Sequence, residues 1–136
     1  MRKFYLYLFL FLPFIGTAVI PTLSPRAQVS LVTFAPGKEL HAAFGHAVIW
    51  VNDPESGIDR AYSYGTFDFN TDNFYLKFLR GTLPYSISFN SMNDLVYYYS
   101  EIEKRGIQIQ NLKLTDSQKM QVFIALEINL LPENKN

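Results

Sequence analysis

The strongest constraint on the fold is a pair of apolar segments separated by a dense cluster of turn-forming residues. His46–Val51 (HAVIWV) is rich in β-branched and aromatic residues, and extended character resumes at Ile58–Tyr64 after the turn formers of residues 52–57 (NDPESG). Two such segments joined by a short loop pair as antiparallel strands. The sequence therefore predicts a β-hairpin over residues 46–64 with a six-residue loop.

Shorter patterns around this hairpin predict the other elements. We expect strands at 29–34, 83–89 and 107–114, the last with a bulge near Asn111, a helical turn at 38–44, and helices at 71–79, 91–103 and 115–131. Ser91 with Asp94 and Thr115 with Gln118 have capping-box spacing, and Gly81 is expected to end the first helix. The pattern contains no repeat and predicts one α+β domain, an antiparallel sheet with flanking helices, over residues 28–136.

The first residues have the pattern of an export signal. Arg2 and Lys3 precede an apolar stretch, Phe4–Ile15, and the small residues of 16–18 follow it. A basic start, an apolar segment and a small-residue exit are typical of a secretory signal peptide, which we assign to residues 1–27. An uncleaved membrane anchor over Phe4–Ile20 is the alternative. Both interpretations predict that the rest of the chain is exported.

The point of signal cleavage has two candidates in the sequence. Cleavage after Ala18 places Gly16 three residues before the scissile bond, which fits the preference for small residues. Cleavage after Ala27 would place Pro25 at that position instead. The sequence favours Ala18 and leaves Ala27 open.

Charge and cysteine content exclude several classes of function. Lys and Arg total 12, as do Asp and Glu, but three of the basic residues precede residue 28, so the remaining part is mildly acidic. This balance argues against a nucleic-acid partner. The chain has 0 cysteines, which excludes a disulfide framework, a cysteine-ligated metal and thiol chemistry within these residues.

Two histidines are the main candidates for chemistry. His41 and His46 are five residues apart and match no compact zinc motif, so we predict no metal and no cofactor. His46 follows a glycine and opens a strand, which would hold an imidazole rigidly. Tyr62 or Tyr64 on the partner strand could hydrogen-bond to it, or Asp68 could orient it. The alternative for these residues is structural, with the aromatics in the core and Asp68 capping the next helix.

Three segments resemble the Lnb N-terminal periplasmic domain family, a family of exported bacterial proteins mostly described as of unknown function. They are LVTFAPGKELHAAFGHAVIWV (31–51), GIDRAYSYGTFDFNTDNFYLKFLRGTLPY (57–85) and LTDSQKMQVFIALEINLLPEN (114–134). The stretch from Tyr64 to Tyr85 is the most specific part. The resemblance implies a fold related to papain-like and NlpC-like thiol hydrolases, permuted so that the histidine precedes the cysteine.

The resemblance also implies roles for individual residues. His46 in Phe44-Gly45-His46 matches the family histidine and would be the general base, and the Tyr62–Tyr64 strand would supply an orienting group. The family pattern continues after LLPEN into an Asn-Cys motif, so we expect this chain to be truncated before its nucleophile and to form an incomplete papain-like domain. Phe34 stands where relatives often have another cysteine. A His46 that is buried, bonded only to backbone and without an adjacent groove would exclude the catalytic role.

Two functions remain open on this basis. The first is the N-terminal part of an exported papain-like cysteine hydrolase or acyltransferase, inactive without its cysteine, in the periplasm or envelope of a Gram-negative bacterium. The second is a non-catalytic accessory or binding domain of the same compartment. The partner would be an envelope substrate, and any membrane association would come from the N-terminal apolar segment or from a segment after Asn136. The candidate catalytic residues are His46, Tyr64 and Asp68.

Overall fold

The computed structural model describes residues 20–134, which form a five-stranded antiparallel sheet with helices. The strands are β1 (Gln28–Phe34), β2 (His46–Asp53), β3 (Ile58–Thr66), β4 (Ser86–Asn90) and β5 (Ile107–Asn111). Their order across the sheet is β4-β3-β2-β1-β5, so the last strand returns to the edge beside the first. The predicted hairpin is β2–β3, in which Asp53 pairs with Ile58. The α+β class with an antiparallel sheet is confirmed.

Three helical segments connect and cover these strands. They are α1 (Phe74–Leu79), α2 (Met92–Val96), which continues as a π-helical turn over Tyr97–Ile102, and α3 (Asp116–Asn129); short 3₁₀ turns lie at Leu40–Ala42 and Pro132–Asn134. Ser91 caps α2 by accepting a hydrogen bond from the Asp94 amide. Thr115 and Gln118 form the reciprocal capping box of α3. Both predicted helix starts are therefore confirmed.

Alternate side chains of each strand point to opposite faces of the sheet, and helical segments cover both faces. One face packs against α3, and its buried residues are Val29, Val51, Ile58, Tyr62, Ile87, Phe123 and Leu126. The other face packs against α2 and the π-helical turn, and its buried residues are Val32, Phe34, Val48, Ala61 and Met92. Strand β3 contributes to both, since Tyr62 belongs to the first face and Ala61 to the second.

Two local predictions were wrong in detail. The helix predicted from residue 71 begins at Phe74, because Asn73 has a left-handed backbone (φ 55°). Gly81, whose φ is also positive (66°), ends the turn that follows this helix. The bulge expected near Asn111 is absent, since β5 pairs with β1 in regular register. The irregularity lies in β3 between Ser63 and Thr66, where the Ser63 hydroxyl accepts a hydrogen bond from the Gly65 amide.

The predicted signal peptide lies mostly in residues 1–19, outside the described residues, and so does the candidate cleavage point at Ala18. The described residues do include Ala27, which is 2% exposed. Between residues 20 and 134, no helix has both the length and the apolar character needed to cross a membrane.

Glu127 of α3 ties this helix to the sheet. Its carboxylate accepts hydrogen bonds from the Tyr62 hydroxyl and, at 2.6 Å, from the Arg60 guanidinium. Burial, and then the Glu127 carboxylate, raise the pKa of Tyr62, so its hydroxyl remains a donor at physiological pH. Arg60 also lies over the Phe89 ring, with 4.8 Å between its Cζ and the ring centroid. A single carboxylate therefore satisfies two polar groups at the edge of an apolar interface.

We expect Glu127→Ala to lower the free energy of unfolding by about 2–3 kcal/mol, because it leaves a half-buried guanidinium and a buried hydroxyl without their acceptor. Urea denaturation at neutral pH measures this change. Gln121→Ala, at an exposed position of the same helix, serves as the control. Equal stability of the two variants would contradict the assigned role of Glu127.

Candidate functional site

His46 stands at the first position of β2, and its backbone is positioned by the preceding glycine. Gly45 has a φ of 78°, and a Cβ atom at this residue would lie 2.6 Å from the carbonyl oxygen of Phe34. Only glycine fits both the left-handed conformation and the close approach of β1. The backbone of Gly45 therefore determines the position from which the His46 side chain extends from the sheet.

The imidazole of His46 is hydrogen-bonded to a side chain of the neighbouring strand. Its Nε2 atom lies 2.9 Å from Oγ of Ser63. The ring also stacks on Phe34 and Tyr99, with centroid distances of 6.1 and 6.3 Å. Within residues 20–134, Nδ1 of His46 makes no hydrogen bond and is not among the buried unpaired atoms, so it is open to the adjacent space.

That space is a cleft of about 250 Å³ on the face of the sheet covered by α2. Its lining combines two histidines, hydroxyl groups, aromatic rings and one guanidinium: His41, His46, Ser63, Thr66, Ser88, Phe67, Phe69, Tyr98, Tyr99, Glu103 and Arg105 are among the residues that form it. His46 is therefore half-buried, bonded to a side chain and beside a groove. None of the three conditions that would exclude a catalytic role is met.

Arg105 is the buried cation of this cleft. Its Nε donates to the carbonyl oxygen of Ala35, its Nη1 lies 2.6 Å from the Glu103 carboxylate, and its Cζ lies 4.7 Å from the Tyr99 ring centroid. Burial opposes the ionisation of Glu103, but hydrogen bonds from Arg105 and Tyr98 outweigh it and lower the pKa of this carboxyl. The ion pair therefore persists in the folded protein over the physiological pH range.

The surroundings of His46 favour its neutral form. Burial is the larger cause, and the nearby Arg105 charge adds to it; together they lower the pKa of His46 below its ordinary value of 6.5. An imidazole that is neutral at physiological pH can accept a proton. The electrostatics of the cleft therefore suit a general base.

The π-helical turn supplies one wall of the cleft. Tyr98 and Tyr99 line it from this turn, and Lys104 just beyond has a left-handed backbone (φ 54°) that redirects the chain before Arg105. Turns of π-helix are frequent at functional sites. The Arg105 side chain that follows is 5% exposed and lies inside the cleft wall.

The structure does not bring the three predicted catalytic residues together. Tyr64 lies on the opposite face of β3 from His46, and its hydroxyl accepts a hydrogen bond from Asn129 Nδ2 at 2.7 Å. Asp68 is exposed and accepts a hydrogen bond from the Asn70 amide at 2.8 Å, which stabilises its own loop. Of the three, His46 alone lines the cleft.

Ser63 and Arg105 are the cleft residues that sequence reasoning missed. The sequence does contain a signal for Ser63. The numbers of paired residues in this hairpin add to an odd total, so an even-numbered residue of β2 pairs with an odd-numbered residue of β3. His46 therefore shares a face of the sheet with Ser63 and Gly65, and not with Tyr62 or Tyr64. No comparable signal pointed to Arg105, which comes close to His46 through the turn of the chain after α2.

The two histidines of the cleft do not belong to a metal-binding cluster in the described part of the chain. His41 and His46 both line the cleft, but residues 20–134 contain no group of three or more histidine or acidic side chains that could hold a metal ion. His41 packs instead against the edges of Phe67 and Phe69, with centroid distances of 5.9 and 5.1 Å.

Comparison with known proteins gives one match. The family model of the Lnb N-terminal periplasmic domain matches residues 22–136, which include all five strands described above and the whole cleft. This match confirms the resemblance seen in the sequence. No curated protein matches the chain, and no solved structure matches it.

We expect Gly65→Ala to displace the imidazole of His46. A Cβ atom at Gly65 would lie 2.8 Å from Cε1 and 3.4 Å from Nδ1 of His46, while the backbone of Gly65 is not in the left-handed region. The bond to Ser63 should be lost and the pKa of His46 should rise towards 6.5, as measured by NMR titration of its Cε1 proton. Gly106→Ala is the matched control, because its Cβ would meet Ala35 at 3.8 Å, an ordinary contact. An unchanged titration in Gly65→Ala would contradict this geometry.

The lowered pKa of His46 also makes stability depend on pH. The unfolded chain binds a proton at His46 more readily than the folded protein does, so the free energy of unfolding falls as the pH decreases through 6.5. His46→Gln lacks this contribution and should lose less stability than the parent between about pH 7.5 and pH 5.5 in urea denaturation. His41→Gln controls for the loss of any histidine. Equal losses in the parent and in His46→Gln would contradict the assignment.

Proposed function

This chain belongs to the Lnb N-terminal periplasmic domain family, and on that premise we propose that it is part of an exported hydrolase or acyltransferase in which His46 is the general base for a cysteine thiol. The cysteine would come from outside the 136 residues, which contain none. The periplasm of a Gram-negative cell is the proposed site of action, and an amide or ester of the cell envelope is the proposed substrate.

One observation carries the proposal: the imidazole of His46 is fixed through one nitrogen and open at the other. Ser63 Oγ lies 2.9 Å from Nε2, while Nδ1 has no hydrogen-bond partner within residues 20–134, is not fully buried, and belongs to a side chain that lines the cleft. A general base needs this arrangement, in which one ring nitrogen is oriented by a partner and the other reaches the reacting group. Ser63 thus takes the orienting role that the sequence interpretation had assigned to Tyr64 or Asp68.

The chemistry follows from this arrangement. With the Nε2 proton donated to Ser63, Nδ1 accepts the thiol proton as sulfur attacks the acyl carbonyl carbon and forms the C–S bond. The bond from that carbon to the leaving nitrogen or oxygen then breaks, and the leaving group takes the proton from Nδ1. Water or an acceptor amine or hydroxyl next attacks the thioester, gives its proton to Nδ1 and releases the thiol, which regains that proton.

Arg105 and Gly65 support this role without taking part in bond changes. The Arg105 charge disfavours the imidazolium, which keeps Nδ1 unprotonated at rest. The absence of a side chain at Gly65 leaves room beside Cε1 and Nδ1 of His46. Hydroxyl groups of Thr66 and Ser88 lie in the same cleft and could accept or donate hydrogen bonds to an acyl substrate.

The reading frame that encodes this chain provides the first test. An Asn-Cys motif encoded within a few tens of residues after Asn136 supports the proposal. A stop codon directly after Asn136 contradicts it and favours the non-catalytic envelope domain.

In the protein translated from the complete reading frame, we expect His46→Gln to reduce labelling of the nucleophilic cysteine by a thiol-reactive acyl probe by about 10²–10⁴-fold, because the thiol loses its general base. Ser63→Ala should cause a smaller loss, because it disorients the imidazole without removing it. Labelling rates at neutral pH, read by mass spectrometry of the modified peptide, measure both effects.

His41→Gln is the control for this experiment, since His41 is the other histidine of the cleft and has no role in the proposed proton transfer. Circular dichroism of each variant establishes that it remains folded. If His46→Gln and His41→Gln label at the same rate, His46 is not the base, and the domain is better described as a binding module.

A further inference from the structure

Exposed aromatic and aliphatic side chains gather around α1 and the turn before β2. Phe44 of that turn is 88% exposed, and Leu79 and Tyr75 of α1 are 68% and 60% exposed. A contiguous group of large apolar side chains on a surface indicates an interaction site. We call this group the aromatic patch, and its exposed members are Phe44, Phe69, Tyr75, Leu79 and Tyr85.

Ring contacts join the members of the patch. The ring centroid of Phe67 lies 5.0 Å from that of Phe69 and 5.8 Å from that of Tyr85. The ring centroid of Phe74, which is buried beneath α1, lies 5.0 Å from that of Phe69 and 5.2 Å from that of Tyr75. The exposed rings therefore form one continuous cluster and are not scattered over the surface.

A groove connects this cluster with the turn before β2. Phe44, Leu79 and Tyr85 line the same groove of about 420 Å³. His41 and His46 also belong to its lining, so the aromatic patch adjoins the cleft. A partner bound to the patch would therefore lie beside the opening of the cleft.

The residues around α1 add positive charge to the patch. Residues 73–93 contain Lys77 and Arg80 and no aspartate or glutamate, although the chain after residue 27 is mildly acidic. Neither cation forms an ion pair within residues 20–134. Asp68 and Asp72 precede α1 and do not line the groove. Apolar side chains combined with Lys and Arg are typical of segments that lie in the interface of a membrane.

The charge also favours an anionic partner over a second copy of this chain. In a symmetric dimer formed through the patch, the same surface would meet itself and bring the cations of the two copies towards each other. Like charges at an interface disfavour association. An anionic lipid surface attracts both cations instead, and its interfacial region accommodates aromatic rings.

We propose that the aromatic patch binds the surface of a membrane that contains anionic phospholipids. Its aromatic and leucine side chains enter the interfacial region, and Lys77 and Arg80 contact lipid phosphate groups. This surface is separate from the N-terminal apolar segment, and the proposal does not depend on the role of His46. Binding in this orientation holds the opening of the cleft at the membrane surface.

The test measures immersion at single positions of the 136-residue chain. The chain contains 0 cysteines, so one introduced cysteine can be labelled with a nitroxide. Leu79→Cys places the label on the patch, and Gln121→Cys places it at an exposed position of α3 as the matched control. Because each label reports its own depth, binding through the N-terminal segment does not affect the comparison.

On addition of phosphatidylglycerol–phosphatidylethanolamine vesicles, EPR collision measurements should show that the label at position 79 gains contact with dissolved O₂ and loses contact with a water-soluble nickel chelate. The label at position 121 should keep its contact with the chelate. A label at position 79 that stays in water, or equal immersion of the two labels, would overturn the proposal.

The role of charge is tested by Lys77→Gln combined with Arg80→Gln in the chain labelled at position 79. The ratio of immersed to water-exposed label on phosphatidylglycerol vesicles should fall about 20-fold, since each cation contributes about fivefold near an anionic surface. Arg26→Gln with Lys113→Gln removes the same charge at exposed positions elsewhere and should change this ratio less. Equal effects of the two pairs would contradict lipid contact by Lys77 and Arg80.

The role of the apolar side chains is tested by Phe44→Ser in the same labelled chain. The immersed fraction should fall about tenfold relative to the water-exposed fraction, because a phenylalanine side chain no longer leaves water on binding. Ile128→Ser, at a position of α3 that is 42% exposed, is the control and should have little effect. Equal effects of the two substitutions would refute insertion of the patch.

Sedimentation of the chain in the absence of lipid distinguishes the other occupant. A monomer supports the proposal. A dimer that Phe44→Ser dissociates would show that a second copy covers the patch, and this result would overturn the assignment of a membrane surface.

Discussion

The register of the β2–β3 hairpin is the constraint on which the rest of this structure depends. Ile49 pairs with Tyr62 and Asp53 with Ile58, so the alternation of side chains sends Tyr62 to one face and Ser63 to the other. A shift of one residue would exchange the two faces and would place a hydroxyl in the α3 core and a tyrosine against His46. One pairing register therefore determines both the main apolar core and the partner of the imidazole.

The two faces of the sheet differ in their packing and in their polar content. On the α3 face, apolar burial and the Glu127 contacts with Arg60 and Tyr62 hold the helix on the sheet. On the α2 face, the core gives way to a cleft with polar groups towards the ends of β2 and β3 nearest His46 and Thr66. Polar side chains in a cleft contribute little hydrophobic stabilisation, and the α3 face, which has the larger of the two buried clusters, contributes more of the apolar burial. That separation allows the cleft to keep residues suited to chemistry.

Much of the fold could be predicted from local chemistry in the sequence. The turn formers of residues 52–57 specified the hairpin, and the caps at Ser91 and Thr115 specified two helix starts, because each of these signals acts over a few residues. The candidate site was harder to predict. His46 is indicated by the glycine before it and by its position at the start of a strand. Residue type also favours Tyr64, but the alternation of β3 turns this side chain away from His46. The π-helical turn and the left-handed backbone of Lys104 bring Arg105 to the site, and no local sequence pattern predicts either feature.

The position of Arg105 bears on how a thiol and His46 would share a proton. A buried guanidinium costs desolvation energy. Hydrogen bonds to Ala35 and Glu103 and the Tyr99 ring offset part of this cost, while Nη2 of Arg105 is buried without a hydrogen-bond partner among the described residues. Its charge disfavours an imidazolium at His46 and lowers the pKa of that residue. The same charge would favour a thiolate beside it. In the proposed enzyme, the balance between a thiol–imidazole pair and a thiolate–imidazolium pair would therefore depend on the distance between the sulfur and Arg105.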